Sequence, residues 1–221
     1  MFMKQKSLIH WFCLTGVLSL IFYHLHTMIG ANHYPGYDWL SQAVSDLTAT
    51  DAPSYIVANS YTTIYAIFSC LSCTLVSILV EKGYPKFLKM GIYLFTAMNF
   101  ISAVGYALFP LTSSGFDHSF QSIMHVYVVT TLVVLCSILS FIFIAIGSFK
   151  ATDKHRYLGW FSIFTLLFMM LGAILSGIVP KEYFGLVERF STYSAVIFNA
   201  ILGLYGCFVF SSSNNLFQNN S

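Results

Sequence analysis

The sequence predicts an all-α, polytopic membrane protein: a six-helix transmembrane bundle with a short interfacial helix in the first outer loop. Three observations predict it. Of 221 residues, 57% are hydrophobic and 8% charged, against about 25% charged in a soluble domain. Such a chain lacks the polar groups to cover its surface in water. Six continuous apolar runs reach the length of about 20 residues that a helix needs to cross a bilayer. None alternates as a membrane β-strand would. The lysines and arginines also gather in alternate connections between the runs, as the positive-inside pattern requires.

The runs cover about 8–30, 56–80, 88–110, 120–148, 157–179 and 186–210. Lys4 and Lys6 precede the first, but no small-x-small cleavage pattern closes it, so it reads as a retained span. Span two carries Cys70 and Cys73 as a CxxC. With no second pair and no histidine beside it, this pair reads as small buried residues. Asn99 in span three and Asn199 in span six read as interhelical hydrogen-bond formers facing the bundle interior. Ala173 and Gly177 in span five, and Gly203 and Gly206 in span six, are expected at close helix contacts. Together these runs make one domain over 1–210, followed by an Asn/Ser-rich tail over 211–221 expected to be a disordered cytoplasmic end.

Orientation follows from the short connections. Lys4, Lys6, Lys82, Lys86, Lys89, Lys150, Lys154 and Arg156 fall on one side, and Lys181 and Arg189 on the other. Both termini are therefore expected in the cytoplasm. The acidic residues show the opposite bias: Asp38, Asp46, Asp51, Asp117, Glu182 and Glu188 lie on the outer side, and Glu81 and Asp153 on the inner. A net charge of +2 with no basic patch excludes a nucleic-acid partner.

The outer side holds the candidate chemistry. Residues 34–54, YPGYDWLSQAVSDLTATDAPS, form a polar segment between spans one and two. Tyr34-Pro35-Gly36-Tyr37 reads as a turn. A surface helix is expected over 38–47, with Trp39, Leu40, Ala43, Val44 and Leu47 on its apolar side and Ser45 and Asp46 near its end. Asp46 reads either as a metal ligand or general base, or as a capping residue. Asp51 reads as a cap for span two, with Pro53 near the first turn. Glu188 and Arg189, at the mouth of span six, read as an internal ion pair or as a clamp for a phosphate headgroup.

Span four opens with DHSFQSIMH. His118 and His125 are seven residues apart, about two helical turns, which places them on one face with Ser122 between. Asp117, Gln121 and His125 follow at four-residue steps. Such a stripe entering a membrane is costly unless it faces the bundle or water. His125, the deepest, is the first candidate. In span one, His24 and His26 subtend about 200°, so one faces the bundle and the other does not; the sequence leaves open which.

The motif over 34–47 followed by Ala52-Pro53, with Phe109-Pro110 ending span three, His125 in span four and Gly185-Leu-Val-Glu-Arg-Phe opening span six, resembles the family catalogued as domain of unknown function 998. The likeness covers nearly the whole chain. It implies a six-span membrane protein of prokaryotes without an assigned activity, and hence a bacterial inner membrane. More distantly, the chain is similar to FRAG–DRAM–SFK-type proteins, which have six spans, a Ser-Asp followed by Pro in the first outer loop and a histidine in span four. Some of those are linked to lipid remodelling or distribution.

The expected function is binding or handling of a lipid headgroup or small polar ligand in an outer cavity, with membrane lipids as partners. Asp46, Asp117, His118, His125, Glu188 and Arg189 are the candidate ligand-binding residues. The first alternative is an intramembrane hydrolase or transferase, with Asp46, His125 and Ser45 as candidate catalytic groups. His118, His125 and Asp46 would then hold a metal, zinc being the possible cofactor. This alternative resembles the CREST-type membrane hydrolases, but the chain has no His-x-x-x-His on its last span and one span fewer. A further alternative is a proton-coupled transporter or sensor.

Overall fold

A computed structural model describes residues 6–113 and 117–210. The tail over 211–221, expected to be disordered, and Lys4 of the charge pattern lie outside the described residues. Six helices are long and apolar enough to cross a membrane: Leu8–Asn32, Tyr55–Val80, Lys86–Leu108, Phe120–Lys150, Asp153–Ser176 and Lys181–Phe208. The protein is an integral membrane protein with an all-α fold. Each span packs on the next in sequence, and span six closes the ring against spans one and two.

Two spans depart from regular α-helix. Span one tightens at Cys13–Leu14, between Leu8–Phe12 and Thr15–Asn32. There the Cys13 carbonyl accepts the Ser72 hydroxyl of span two at 2.9 Å. Span four opens as Phe120–Ile123 and widens to a π-helix over Met124–Val129 before Thr130–Lys150. In this wider turn the Thr130 N–H donates to the His125 carbonyl, and Thr130 Oγ1 donates to the same carbonyl at 2.8 Å.

Phe95, Phe141 and Phe198 from spans three, four and six pack ring to ring at the centre, 5.0–5.7 Å apart, and are fully buried. Beside them lies a polar knot. Asn199 Nδ2 donates to Ser19 Oγ at 2.9 Å and Ser69 Oγ at 3.0 Å, while its Oδ1 accepts the Cys73 thiol at 2.8 Å. Ser69 Oγ donates to Asn99 Oδ1 at 2.5 Å. Spans one, two, three and six are thus joined through both expected asparagines. Cys73 of the CxxC is part of this knot.

Small residues decide which spans touch backbone to backbone. A Cβ on Gly147 would come 2.1 Å from Leu88 N, which brings spans three and four together. Gly203 approaches the Cys13 carbonyl, and Gly206 the Cys13 side chain, as expected. The Ala173/Gly177 expectation is corrected: a Cβ on Gly177 would meet only the Ile174 carbonyl of its own span, at 3.6 Å. Gly177 lies at the helix end, where the chain turns toward span six.

Candidate functional site

The segment between spans one and two covers one end of the bundle. Its expected surface helix over 38–47 is shortened to a 3-10 helix over Ser45–Thr48. Asp38 explains the shortening. Its carboxylate accepts Leu40 N at 3.1 Å and Ser41 Oγ at 2.7 Å, closing a turn where a helix would have run. These two bonds, with Ser41 first, lower its pKa below the ordinary carboxylate value. Beyond the turn the chain dips inward. Val44, Leu47 and Ala49 are buried, while Trp39 stays 53% exposed at the rim.

Span six holds this segment in place. The guanidinium of Arg189 donates to the Trp39 carbonyl at 2.9 Å, the Gln42 carbonyl at 3.1 Å, Tyr37 Oη at 2.7 Å and the Gly185 carbonyl of its own helix at 2.6 Å. Tyr37 Oη donates onward to the Ala43 carbonyl at 2.8 Å. Burial pushes the Tyr37 phenol up to about 12, and the nearby Arg189 charge opposes that shift. Leu186 N donates to the Leu40 carbonyl at 3.0 Å. Gly185 has no room for a side chain, since a Cβ would lie 2.2 Å from the Gln42 carbonyl.

Glu188 accepts Val44 N–H at 3.3 Å through Oε2. It forms no ion pair with Arg189; among the described residues the ion pair is Arg156–Asp153, on the opposite end of the bundle. Asp46 is buried, and its Oδ2 accepts Ala43 N–H at 3.0 Å. Asp46, Glu188 and Arg189 therefore come together around residues 37–46. The N-cap position of span two falls to Ser54 rather than Asp51: Ser54 makes no side-chain cap bond, its hydroxyl donating instead to the Leu47 carbonyl at 2.8 Å, and Asp51 is exposed.

The start of span four forms a second group. The helix begins at Phe120 with Ser119 as N-cap, its hydroxyl accepting Ser122 N–H at 3.1 Å. Asp117 and His118 precede that helix, so the expected shared face of His118 and His125 does not form. His118 has φ 60, a left-handed conformation that turns the chain into the span, and its side chain is exposed. Asp117 accepts hydrogen bonds from Thr112 Oγ1 and Ser119 N–H. Such bonds to Ser122, Thr112 and Ser119 lower its pKa. His125 is buried in the π-helix. Its Nδ1–H donates to the Phe109 carbonyl at 2.8 Å, and its ring lies 4.5 Å from that of Tyr106.

The two groups meet through backbone. Thr50 N–H donates to the Leu111 carbonyl at 2.9 Å, and Thr50 Oγ1 to the Thr112 carbonyl at 3.0 Å. Leu111 is buried against Ala49 and Ala52.

Span one supplies what the sequence left open. His26 faces the bundle and is 3% exposed. His24 faces outward, its Nδ1 3.1 Å from Tyr193 Oη, which also pairs with Thr27 Oγ1 at 2.9 Å. Tyr23 packs edge-on against Tyr65 at 5.0 Å, Tyr193 at 5.1 Å and the His26 ring at 5.6 Å. These tyrosines were hidden by treating the spans as uniformly apolar; marking phenols inside the runs would have found them. An apolar groove of about 390 Å³ runs beside them between spans one and six, lined by Leu20, Ile21, His24, Leu25, Tyr193 and Ile197.

Among the described residues no three His, Cys, Asp or Glu side chains gather so as to hold a metal ion.

The family described as "Protein of unknown function (DUF998)" matches residues 15–205. The chain belongs to this family. The match takes in all six spans, the segment between spans one and two and the Glu188-Arg189 pair. No curated protein and no solved structure matches the chain.

Proposed function

We propose that this DUF998 protein binds a membrane lipid at the end of the bundle closed by residues 34–54, on the non-cytoplasmic face of a bacterial inner membrane. The observation that carries the reading is the groove between spans one and six. Its floor is aliphatic: Leu20, Ile21, Leu25 and Ile197. Its polar groups, His24 and Tyr193, are bonded to each other with Thr27 behind, and the surface they offer the groove is almost wholly apolar. An acyl chain fits such a surface, because lipid is the solvent that meets this face. Glu188, Arg189 and Asp46 do not line the groove; they hold the covering segment at the end of the bundle where the headgroup would lie. The Arg189 fork is engaged by carbonyls and Tyr37, so its part is to keep the covering segment docked. The metal-dependent hydrolase alternative lacks a ligand set among the described residues.

Purification in mild detergent followed by native mass spectrometry tests the proposal. A lipid should stay bound, and Ile197→Trp, which fills the groove, and Tyr193→Ala, which removes part of its lining, should each strip most of it. An absence of retained lipid, or unchanged retention in both variants, would refute the reading.

A further inference from the structure

His26 is the anomaly of this bundle. It is 3% exposed, and among the described residues neither Nδ1 nor Nε2 has a hydrogen-bond partner. An uncharged imidazole carries one donor and one acceptor, and burying both unpaired is costly. The other buried outer histidine, His125, is satisfied by the Phe109 carbonyl. His26 is therefore built to meet something besides the protein.

Its surroundings indicate what. Glu188 is a half-buried carboxylate whose hydrogen bond goes to one backbone N–H and which has no ion-pair partner among the described residues. It lies within electrostatic reach of Tyr23, Tyr106 and Tyr193. Tyr23 is also the ring against which His26 packs, and Val44, whose N–H Glu188 holds, is buried against Tyr23. A carboxylate that feels the Arg189 charge but makes no ion pair with it, an imidazole without a partner among the described residues and several electron-rich rings thus border one region. A primary ammonium group answers all three. It has three N–H donors and one positive charge, and it is attracted to aromatic faces.

We propose that His26 and Glu188 recognise a primary ammonium group, as carried by an aminoethyl lipid headgroup or a free alkylamine. The inference rests on the lipid reading above: Tyr193 lines the groove, and Tyr23 packs against both Tyr193 and His26. His26 accepts one N–H, Glu188 supplies the opposite charge, and Tyr23 and Tyr193 present ring surface. Full N-methylation would remove every N–H while keeping the charge. A glycerol headgroup would lack the charge altogether.

The test uses the full-length protein in nanodiscs of phosphatidylcholine doped with equal parts of phosphatidylethanolamine and phosphatidylglycerol, with retained lipids counted by native mass spectrometry. Phosphatidylethanolamine should be retained about tenfold over either of the others, about 1.4 kcal/mol of preference. Glu188→Gln keeps an oxygen for Val44 N–H, so the covering segment stays docked, and His26→Phe keeps the ring volume. Each should abolish the preference while total lipid retention persists. A free-amine arm adds millimolar ethanolamine to lipid-stripped protein. A rise in melting temperature that Glu188→Gln removes would support recognition of the ammonium group itself, whatever carries it. Equal retention of the three headgroups, or an unchanged preference in both variants, would overturn the ammonium inference and leave lipid binding standing. Loss of all lipid from the wild-type protein, together with no response to ethanolamine, would overturn both.

Discussion

Arg189 illustrates how a residue type suggests one chemistry and its neighbours assign another. The planar guanidinium matches phosphate in geometry, yet here backbone carbonyls take its donors. Arg189→Ala should cost about 2–4 kcal/mol, since it leaves these carbonyls and Tyr37 short of a donor. The expected readout is a lower melting temperature in detergent with faster proteolysis between Tyr37 and Ala43. Arg189→Lys should recover only part, because an ammonium cannot reproduce the fork. Tyr37 adds a pH dependence whose sign follows from its raised pKa. A phenol near 12 in the fold and near 10 when unfolded favours the folded state fully below pH 10. That contribution fades as pH rises towards 12. Protease sensitivity of the segment should therefore increase between pH 10 and 12, and Tyr37→Phe should shift or remove that window.

At the scale of elements, the covering segment and the opening of span four depend on contacts one atom wide. Gly185→Ala would drive a methyl into the Gln42 carbonyl. The expected cost is about 1–3 kcal/mol from overpacking, visible as a lower melting temperature and release of the segment, while the spans stay helical by circular dichroism. In span four, the Thr130 hydroxyl adds a second hydrogen bond to the His125 carbonyl, beside the backbone bond of the π-helix. Thr130→Val keeps the shape and removes the hydroxyl. It should destabilise the protein by about 1 kcal/mol and alter the exchange rate of the His125 ring proton, as read by NMR. Much of this was beyond sequence reasoning. The apolar side assigned to 38–47 named Ala43, Val44 and Leu47, which are indeed buried, yet the continuous helix did not form because Asp38 closes a local turn. Spacing also put His118 on the face of His125, but the helix starts at Phe120, after the left-handed turn at His118.

For the whole molecule, the knot around Asn199 ties four of six spans at mid-depth. Asn199→Leu should cost about 2 kcal/mol, because Ser19 and Ser69 lose their donor in a medium without water; thermal unfolding in detergent measures it. An even number of spans puts both termini on one side. A reporter fused at each end should place both in the cytoplasm if the lysine and arginine pattern sets the orientation; opposite or external termini would contradict that pattern. Composition and run length were enough to read six spans and an all-α fold, because a bilayer forces each crossing to be long, apolar and hydrogen-bonded within itself; the family was read from motifs, chiefly residues 34–47 and the Gly185-Leu-Val-Glu-Arg-Phe run. Those demands are local and survive in a one-dimensional string. The choice between His24 and His26, the engagement of Arg189 by carbonyls and the lack of an ion pair between Glu188 and Arg189 are settled by which helix faces meet. The contacts that settle them join residues more than a hundred positions apart, and no local pattern records them.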